Sequence, residues 1–379
     1  MVQEYKNVAI IGAGASGCMC AYFLIKSGID VSIFDYALPL RTLLPTGGGR
    51  CNLAHADYDY KELASNYPRG EKFLYSIFSR FGTKHTIELF EELGIKVYTQ
   101  KDGRIFPDSN SSKDVRNKIL DKIKSADFIK ENVEEIIPLE SGFKVKSSKS
   151  EYLFTDVVVA IGGGKTIKGI EKHPIVPFTP SLVGLNSDIK TLSGVVLKNV
   201  YSYDIKEYGD ILFTHFGLSG PLIYKISSIK TKEKFPYDLR FNLIAEEINL
   251  QEIFDKNPHK ELKNILSTFF PHRFAEFISE TYANLEACKV DKNIRNKIMN
   301  KINDFQVIVN SVNKGEETVT SGGYDLNYIN SKTMESKIYP HLYFIGETLD
   351  IDGFCGGYNL QNAWSTAYIS ACSIMNHIN

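Results

Sequence analysis

The stretch NVAIIGAGASGCMCAYFLIKSGIDVSIFD, residues 7–35, constrains the fold of this chain more than any other. A strand-length apolar run from Asn7 to Ile11 leads directly into glycines spaced G-x-G-x-x-G at Gly12, Gly14 and Gly17. Helical apolar spacing runs from Ala15 to Lys26, and a second strand, Val31 to Phe34, ends on Asp35. Strand, helix and strand in this order form a βαβ unit, which implies a parallel pair with a right-handed crossover. Gly12 permits the tight turn, Gly14 lets a pyrophosphate approach the backbone, and Gly17 lets the helix pack close to the strand; Ala15 and Ser16 complete the candidate phosphate turn. Asp35 follows Gly17 by 18 residues. There a carboxylate can accept hydrogen bonds from both ribose hydroxyls, which argues against a 2′-phosphate. This fingerprint specifies a dinucleotide but does not separate NAD from FAD.

The remaining segments bear on that choice. Residues 70–94 read as two helices, VYTQKDGRIFP as a hairpin turning at Lys101 to Gly103, and Ser111 and Ser112 as the start of a helix reaching about Ser125. From 127 to 161 the runs DFIK, VEEIIPL, FKVKS and EYLFT suggest a small antiparallel meander, with Val133 a candidate cofactor contact, feeding a buried parallel strand, DVVVAIGGG. HPIVPFTPSLVGL then leaves as extended chain. A two-part FAD fold needs a meander after the first βαβ units, a strand ending in glycines near the cofactor, and a late strand delivering an acid to the ribityl chain. The chain offers these in order: the β segments at 132–154, VVVAIGGG with Gly162 and Gly163, and LYFIGETLDIDG with Gly346, Glu347 and Asp352. Glu347 and Asp352 compete for the ribityl contact.

LLPTGGGRCN at 43–52, FTHFGLSGP at 213–221, TMESK at 333–337 and GETLDIDGFCGGYNLQNAW at 346–364 together resemble the BaiN-like FAD-dependent oxidoreductases, flavoproteins of aminoacetone-oxidase type. The resemblance spans both ends of the chain. It implies an α/β fold with a Rossmann-like FAD-binding domain of glutathione-reductase type, interrupted by an inserted β-barrel and a small helical subdomain. The expected bounds are 1–185 with 315–379 for the FAD domain, 186–250 with 305–314 for the β-rich insert, and 251–304 for the helical subdomain. Thr42, Thr46, Tyr324 and His341 depart from the family pattern, which expects lysine, serine, valine and glycine there.

The glycines of the 43–52 loop, Gly48 and Gly49 among them, let backbone N–H groups crowd a phosphate or flavin, with Thr46 beside them. Arg50 can pair with the pyrophosphate or a substrate anion, and Asn52 can hydrogen-bond the isoalloxazine edge. Cys51 is open between redox partner, proton donor and packing residue; with no C-x-x-C nearby, packing is favoured. In CGGYNLQNAW the glycines precede a helix whose N-terminus suits the negative charge of a reduced flavin, making Gly357, Tyr358 and Asn359 cofactor candidates. Candidate catalytic groups are His215, near neutrality in its ordinary pKa, Cys51 and Tyr358. Trp364 reads as helix core.

With 44 Lys and Arg against 45 Asp and Glu, no net basic field recruits nucleic acid or an anionic membrane, so neither partner is expected. No apolar run of about 18 residues suggests membrane insertion, the N-terminus lacks signal-peptide features, and six scattered cysteines suggest a reduced, cytoplasmic protein without a metal. The expected function is FAD-dependent, NAD(P)H-linked reduction of a small or moderately hydrophobic organic substrate. The nicotinamide would be a transient visitor, since a second G-x-G-x-x-G is absent. The alternatives are a flavin redox sensor using Cys51 and Cys355 and, less favoured by the balanced charge, a tRNA-modifying flavoprotein.

Overall fold

The computed structural model describes residues 6–246, 248–313 and 319–378. It divides into two compact units, one running to Thr179 and resuming at Val319, the other starting at Pro180. The boundary expected between 314 and 315 lies outside the described residues.

The first unit is built on a sheet of mostly parallel strands. β1 (Lys6–Ile11) pairs with β2 (Val31–Phe34) on one side, Val8 opposite Val31, and β2 pairs in parallel with β3 (Asp127–Ile129). β4 (Val133–Pro138) and β5 (Phe143–Ser147) form the meander, followed by β6 (Glu151–Val159). Two expectations change here. DFIK is not part of the antiparallel meander, and EYLFT and DVVV are one nine-residue strand. The first half of β6 is antiparallel to β5, whereas its second half lies between β1 and the late strand β7 (Leu342–Phe344), parallel to both. Burial follows this division: Glu151 to Thr155 vary in exposure, while Asp156 to Val159 are fully buried. A strand covered on both faces reads as continuous apolar sequence, so the change of environment mimics a break between two strands.

α1 (Ala15–Lys26) crosses over from β1 to β2 and packs against α2 (Tyr358–Ile378), which closes the unit. At 1.5 Å per residue α2 is about 31 Å long. Trp364 is fully buried in it and donates its indole N–H to Leu53 O at 3.0 Å, tying the helix to the segment after Asn52. Burial of so large a ring contributes about 3–5 kcal/mol by truncation. The expected hairpin forms between Val97–Thr99 and Arg104–Pro107, with Ala54–His55 added at its edge. Ser111 caps Ser112–Lys122, accepting from the Asp114 N–H.

The second unit contains a closed six-stranded barrel in the order Leu185–Ser187, Gly217–Ser219, Glu207–Phe213, Val196–Ser202, Tyr237–Asn242 and Phe305–Val312. Closure leaves no free strand edge. Short helices at 250–256, 262–266, 272–279 and 292–303 lie between the last two strands; Phe274 packs its ring against Phe213 and Phe305 of the barrel. The fold is therefore a Rossmann-like domain with an inserted barrel and helical subdomain. No helix among the described residues is long and apolar enough to cross a membrane.

Candidate functional site

In parallel sheets ligands gather beyond the carboxyl ends of the strands. Here the turns after β1, β6 and β7 meet at that edge. A Cβ on Gly12, whose φ is +110°, would stand 2.3 Å from Ala160 O, and one on Gly17 would stand 2.0 Å from Gly12 O. Both glycines are demanded by the chain's own packing. Gly14 differs: its φ is −78° and nothing lies within 4 Å of its Cβ position. That open position faces the start of α1, where Ala15 and Ser16 lie in a first turn without an acidic side chain. The exposed partial positive charge of such a terminus suits a pyrophosphate. Gly346 presses on Ser16, with its Cβ position 2.5 Å from Ser16 Oγ, so the end of β7 reaches the same turn.

Asp35 is half-buried at the end of β2, its carboxylate accepting from the Ala13 and Ala37 N–H groups at 2.8 Å each. These bonds fix the side chain while leaving lone pairs for a hydroxyl. The Asp35 N–H donates to Ile129 O at 3.2 Å, so the chain leaving β3 toward Val133, itself half-buried, departs beside this acid. After β6, Gly162 is left-handed with open space around it, whereas Gly163 backs onto Thr320 and Glu347. Glu347 accepts from the Thr320 N–H at 3.0 Å, and burial pushes its carboxyl above the ordinary range. Asp352 is committed elsewhere: it is fully buried and pairs through both oxygens with Arg69. The competition for a ribityl hydroxyl therefore favours Glu347.

The TGGG segment is a helical turn only by hydrogen bonding, since Gly47 and Gly48 have φ of 58° and 69°, with Gly49 at 84° and Cys51 at 66°. A side chain in this left-handed region costs roughly 1–2 kcal/mol, so three glycines answer a backbone demand. Gly48 and Gly49 are exposed, and Thr46 holds the turn through Oγ1 on Leu43 O at 2.7 Å. Arg50 is set by Nε on Gly47 O at 3.1 Å and by its guanidinium 4.2 Å from the Phe106 ring centre. Cys51 is wholly buried, and burial pushes its thiol up to about 12, which suits packing and disfavours a reactive thiolate. Asn52 is 8% exposed and its Oδ1, sealed from solvent, has no hydrogen-bond partner. The Thr348 hydroxyl oxygen is in the same state. Buried polar groups are ordinarily paired, so each is a position a ligand can complete.

The start of α2 adjoins this loop. A Cβ on Gly357 would lie 2.4 Å from Ala54 O, two residues past Asn52. Asn359 is spent on the loop before it, bonding both N and O of Gly353 at 2.8 Å, so only its backbone is offered to a ligand. Tyr358 donates its hydroxyl to Asp57 at 2.8 Å and stacks on His55, whose Nδ1 is 3.1 Å from the same carboxylate. Burial, then the Asp57 bond, push the tyrosine well above its usual range. His55 and Asp57 escaped the sequence reading; AHAD, directly after the glycine loop, is the only local signal. His215 is exposed in the turn after Glu207–Phe213 of the second unit, whereas the other candidates belong to the first.

The HI0933-like protein Rossmann domain matches residues 6–200 and 284–373, and the HI0933-like barrel and H2TH domain matches 179–318. The chain is 31% identical to a ribosomal RNA dihydrouridine synthase of Haemophilus influenzae, over 98% of this chain and 99% of that one. It is 25% identical to a 3-dehydro-bile acid delta(4,6)-reductase of Clostridium scindens, over 96% and 98%. Among solved structures it is similar to E. coli quinol fumarate reductase with a TM-score of 0.51 at 12% identity, covering 99% of this chain and 71% of that chain.

Proposed function

Since the chain belongs to the HI0933-like family and is an FAD-dependent oxidoreductase, we propose that it adds two hydrogens across a carbon–carbon double bond conjugated to a carbonyl, with electrons from NAD(P)H. One observation carries this. The uracil ring of uridine and the ring enone of a 3-keto bile acid share the C=C–C=O unit, and relatives at 31% and 25% identity are named for transformations of those two compounds. The first-choice substrate is a uridine of ribosomal RNA, by the closer and nearly full-length match. This reverses the expectation that no nucleic acid is a partner. A small cyclic enone is the second reading, favoured by charge: residues 251–304 carry nine Lys and Arg against eight Asp and Glu, and Lys256, Lys289, Lys297 and Lys301 are already paired with carboxylates. That leaves little surplus field for phosphates.

The groups that would hold FAD are the α1 N-terminus with Gly14 for the pyrophosphate, Asp35 for the ribose, Glu347 for the ribityl hydroxyls, and Asn52 with the α2 N-terminus for the isoalloxazine edge. The unfilled space at Gly14 and the unpartnered Asn52 Oδ1 support that fit. Bound there, FAD supplies hydride transfer. The chain's own residues orient the acceptor and hold a proton: Tyr358 keeps its hydroxyl proton and donates it in a hydrogen bond to Asp57, with His55 stacked beside it. In the net change NAD(P)H becomes NAD(P)+, one carbon gains hydride and its neighbour a proton.

Anaerobic mixing of the yellow protein with NADH or NADPH should bleach the flavin, and re-oxidation by substrate should follow. Ribosomal RNA lacking dihydrouridine and a steroid dienone are offered in parallel, with a two-hydrogen mass gain as readout. Bleaching without a gain in either substrate would sink the double-bond reading; bleaching by neither nicotinamide would sink the electron source.

A further inference from the structure

At the other end of the strands, away from the glycine turns, Asp156, His341 and His377 converge. Asp156 sits in β6 beside Val8 of β1, His341 immediately precedes β7, and His377 lies in the last turn of α2. Each offers a donor atom within 4.8 Å of the others. We infer that these three side chains bind one divalent transition-metal ion of borderline softness, with Zn2+ as the best match.

The carboxylate is the first reason. Asp156 is fully buried, and while its Oδ2 is held by the Thr155 hydroxyl at 2.8 Å, its Oδ1 has no hydrogen-bond partner. His341 Nδ1 is likewise sealed from solvent and unpartnered, and faces Asp156 Oδ1 across 3.6 Å. That is too long for a hydrogen bond. It is slightly longer than the spacing of a nitrogen and an oxygen ligand on one tetrahedral ion, which for bonds of about 2.0–2.2 Å is about 3.3–3.5 Å. Two buried polar atoms aimed at one point, neither satisfied, are what an ion would complete.

The remaining shell also fits. His341 is anchored by its backbone, its N–H on Glu335 Oε1 at 2.8 Å and its carbonyl accepting from Val157 at 3.0 Å. The His377 ring lies against that of His341, centroids 3.9 Å apart, on an exposed last turn where the side chain can swing a nitrogen toward the ion. Two imidazoles and one carboxylate suit Zn2+ over Mg2+ or Ca2+, and leave a fourth position for water. Because the ligands lie several residues before the glycines that end β6, the ion is a clasp fastening the end of α2 to the sheet, and it takes no part in flavin chemistry. The sequence reading expected no metal, since no spacing links residues 156, 341 and 377.

The test titrates Zn2+, and separately Co2+, into untagged full-length protein as purified, carrying Cys288→Ser. That substitution disables the exposed group of His259, Glu286 and Cys288, whose donors also lie within 4.8 Å of one another. One Zn2+ per chain should bind, and Co2+ should give visible ligand-field bands without a thiolate charge-transfer band. His377→Ala, at an exposed position that leaves the core intact, should weaken binding by more than the roughly 10–100-fold that even an outer partner of a ligand costs. His341→Gln should do the same. Absence of saturable binding, or binding unchanged by His377→Ala, overturns the site.

Discussion

Two glycine loops of the first unit meet their need for glycine by different physics. In the turn after β1, Gly12 and Gly17 are pinned by the chain itself, with Ala160 O and Gly12 O where side chains would go. In the loop at 46–52, Gly48 has open space around it and Asn52 ends in an unpartnered oxygen. Each loop holds both kinds of glycine: Gly12 and Gly17, like Gly47 against Phe106 and the Asn52 backbone nitrogen, are pinned by packing, whereas Gly14 and Gly48 have open space that a ligand can fill. A glycine motif is thus two statements, one about packing and one about a ligand, and only atomic neighbours tell them apart.

The largest expected effect is at a packed glycine. Gly12→Ala places a Cβ at 2.3 Å from backbone at φ +110°, so denaturant unfolding should show a loss of about 2–5 kcal/mol from overpacking plus positive-φ strain. Gly14→Ala, in the same turn, should leave the FAD-free protein within about 1 kcal/mol, since an unstrained alanine fits, yet lower FAD retention. Equal destabilisation by both would erase the contrast.

Acid tests a buried group elsewhere in the first unit. His173 is 2% exposed among Tyr324, Tyr339 and Phe344, and burial lowers its pKa to about 4. The neutral ring is favoured in the fold, so its contribution is complete above the unfolded value near 6.5 and is lost as pH falls through 4. The unfolded chain takes up the proton first, and stability should drop by up to about 3 kcal/mol across that window. His173→Gln should flatten that part of the pH profile; an unchanged profile would show that another group carries it.

Smaller effects sharpen the open positions of the 46–52 loop. Gly48→Ala should cost about 1–2 kcal/mol from the left-handed backbone alone, with no clash. Asn52→Ala should change the FAD-free protein by less than about 1 kcal/mol, because it removes an oxygen that has no partner, and should still speed FAD release in a dilution assay. Retention equal to that of the unaltered protein would detach Asn52 from the cofactor.

Much of the first unit was legible because its signals are local. The β1–α1–β2 order with Asp35 follows from periodicity and glycine spacing, and the hairpin at 97–107 from its turn residues. The division of β6 between antiparallel and parallel partners was not legible, since apolar residues carry no label for the direction of their neighbour. Asp352 illustrates a different limit: spacing after the strand points to Glu347 but leaves Asp352 within reach, and only its pairing with Arg69, from a distant segment, commits it elsewhere.

By itself the sequence determined that a dinucleotide turn forms between β1 and α1, because every requirement of that turn lies within residues 7–35. It also carried a β-rich and then a helical insert through the change from strand-like to helix-like patterning, while closure of the β-rich part into a barrel was implied only by the family resemblance. Only the tertiary structure decided why three glycines precede Arg50, that Cys51 is sealed, and that Tyr358 rests on Asp57. It alone brought Asp156, His341 and His377 to one point. The physical reason is common to these cases: φ at a loop residue, burial of a thiol and convergence of donor atoms depend on chain segments far away in sequence, and no spacing rule spans such distances.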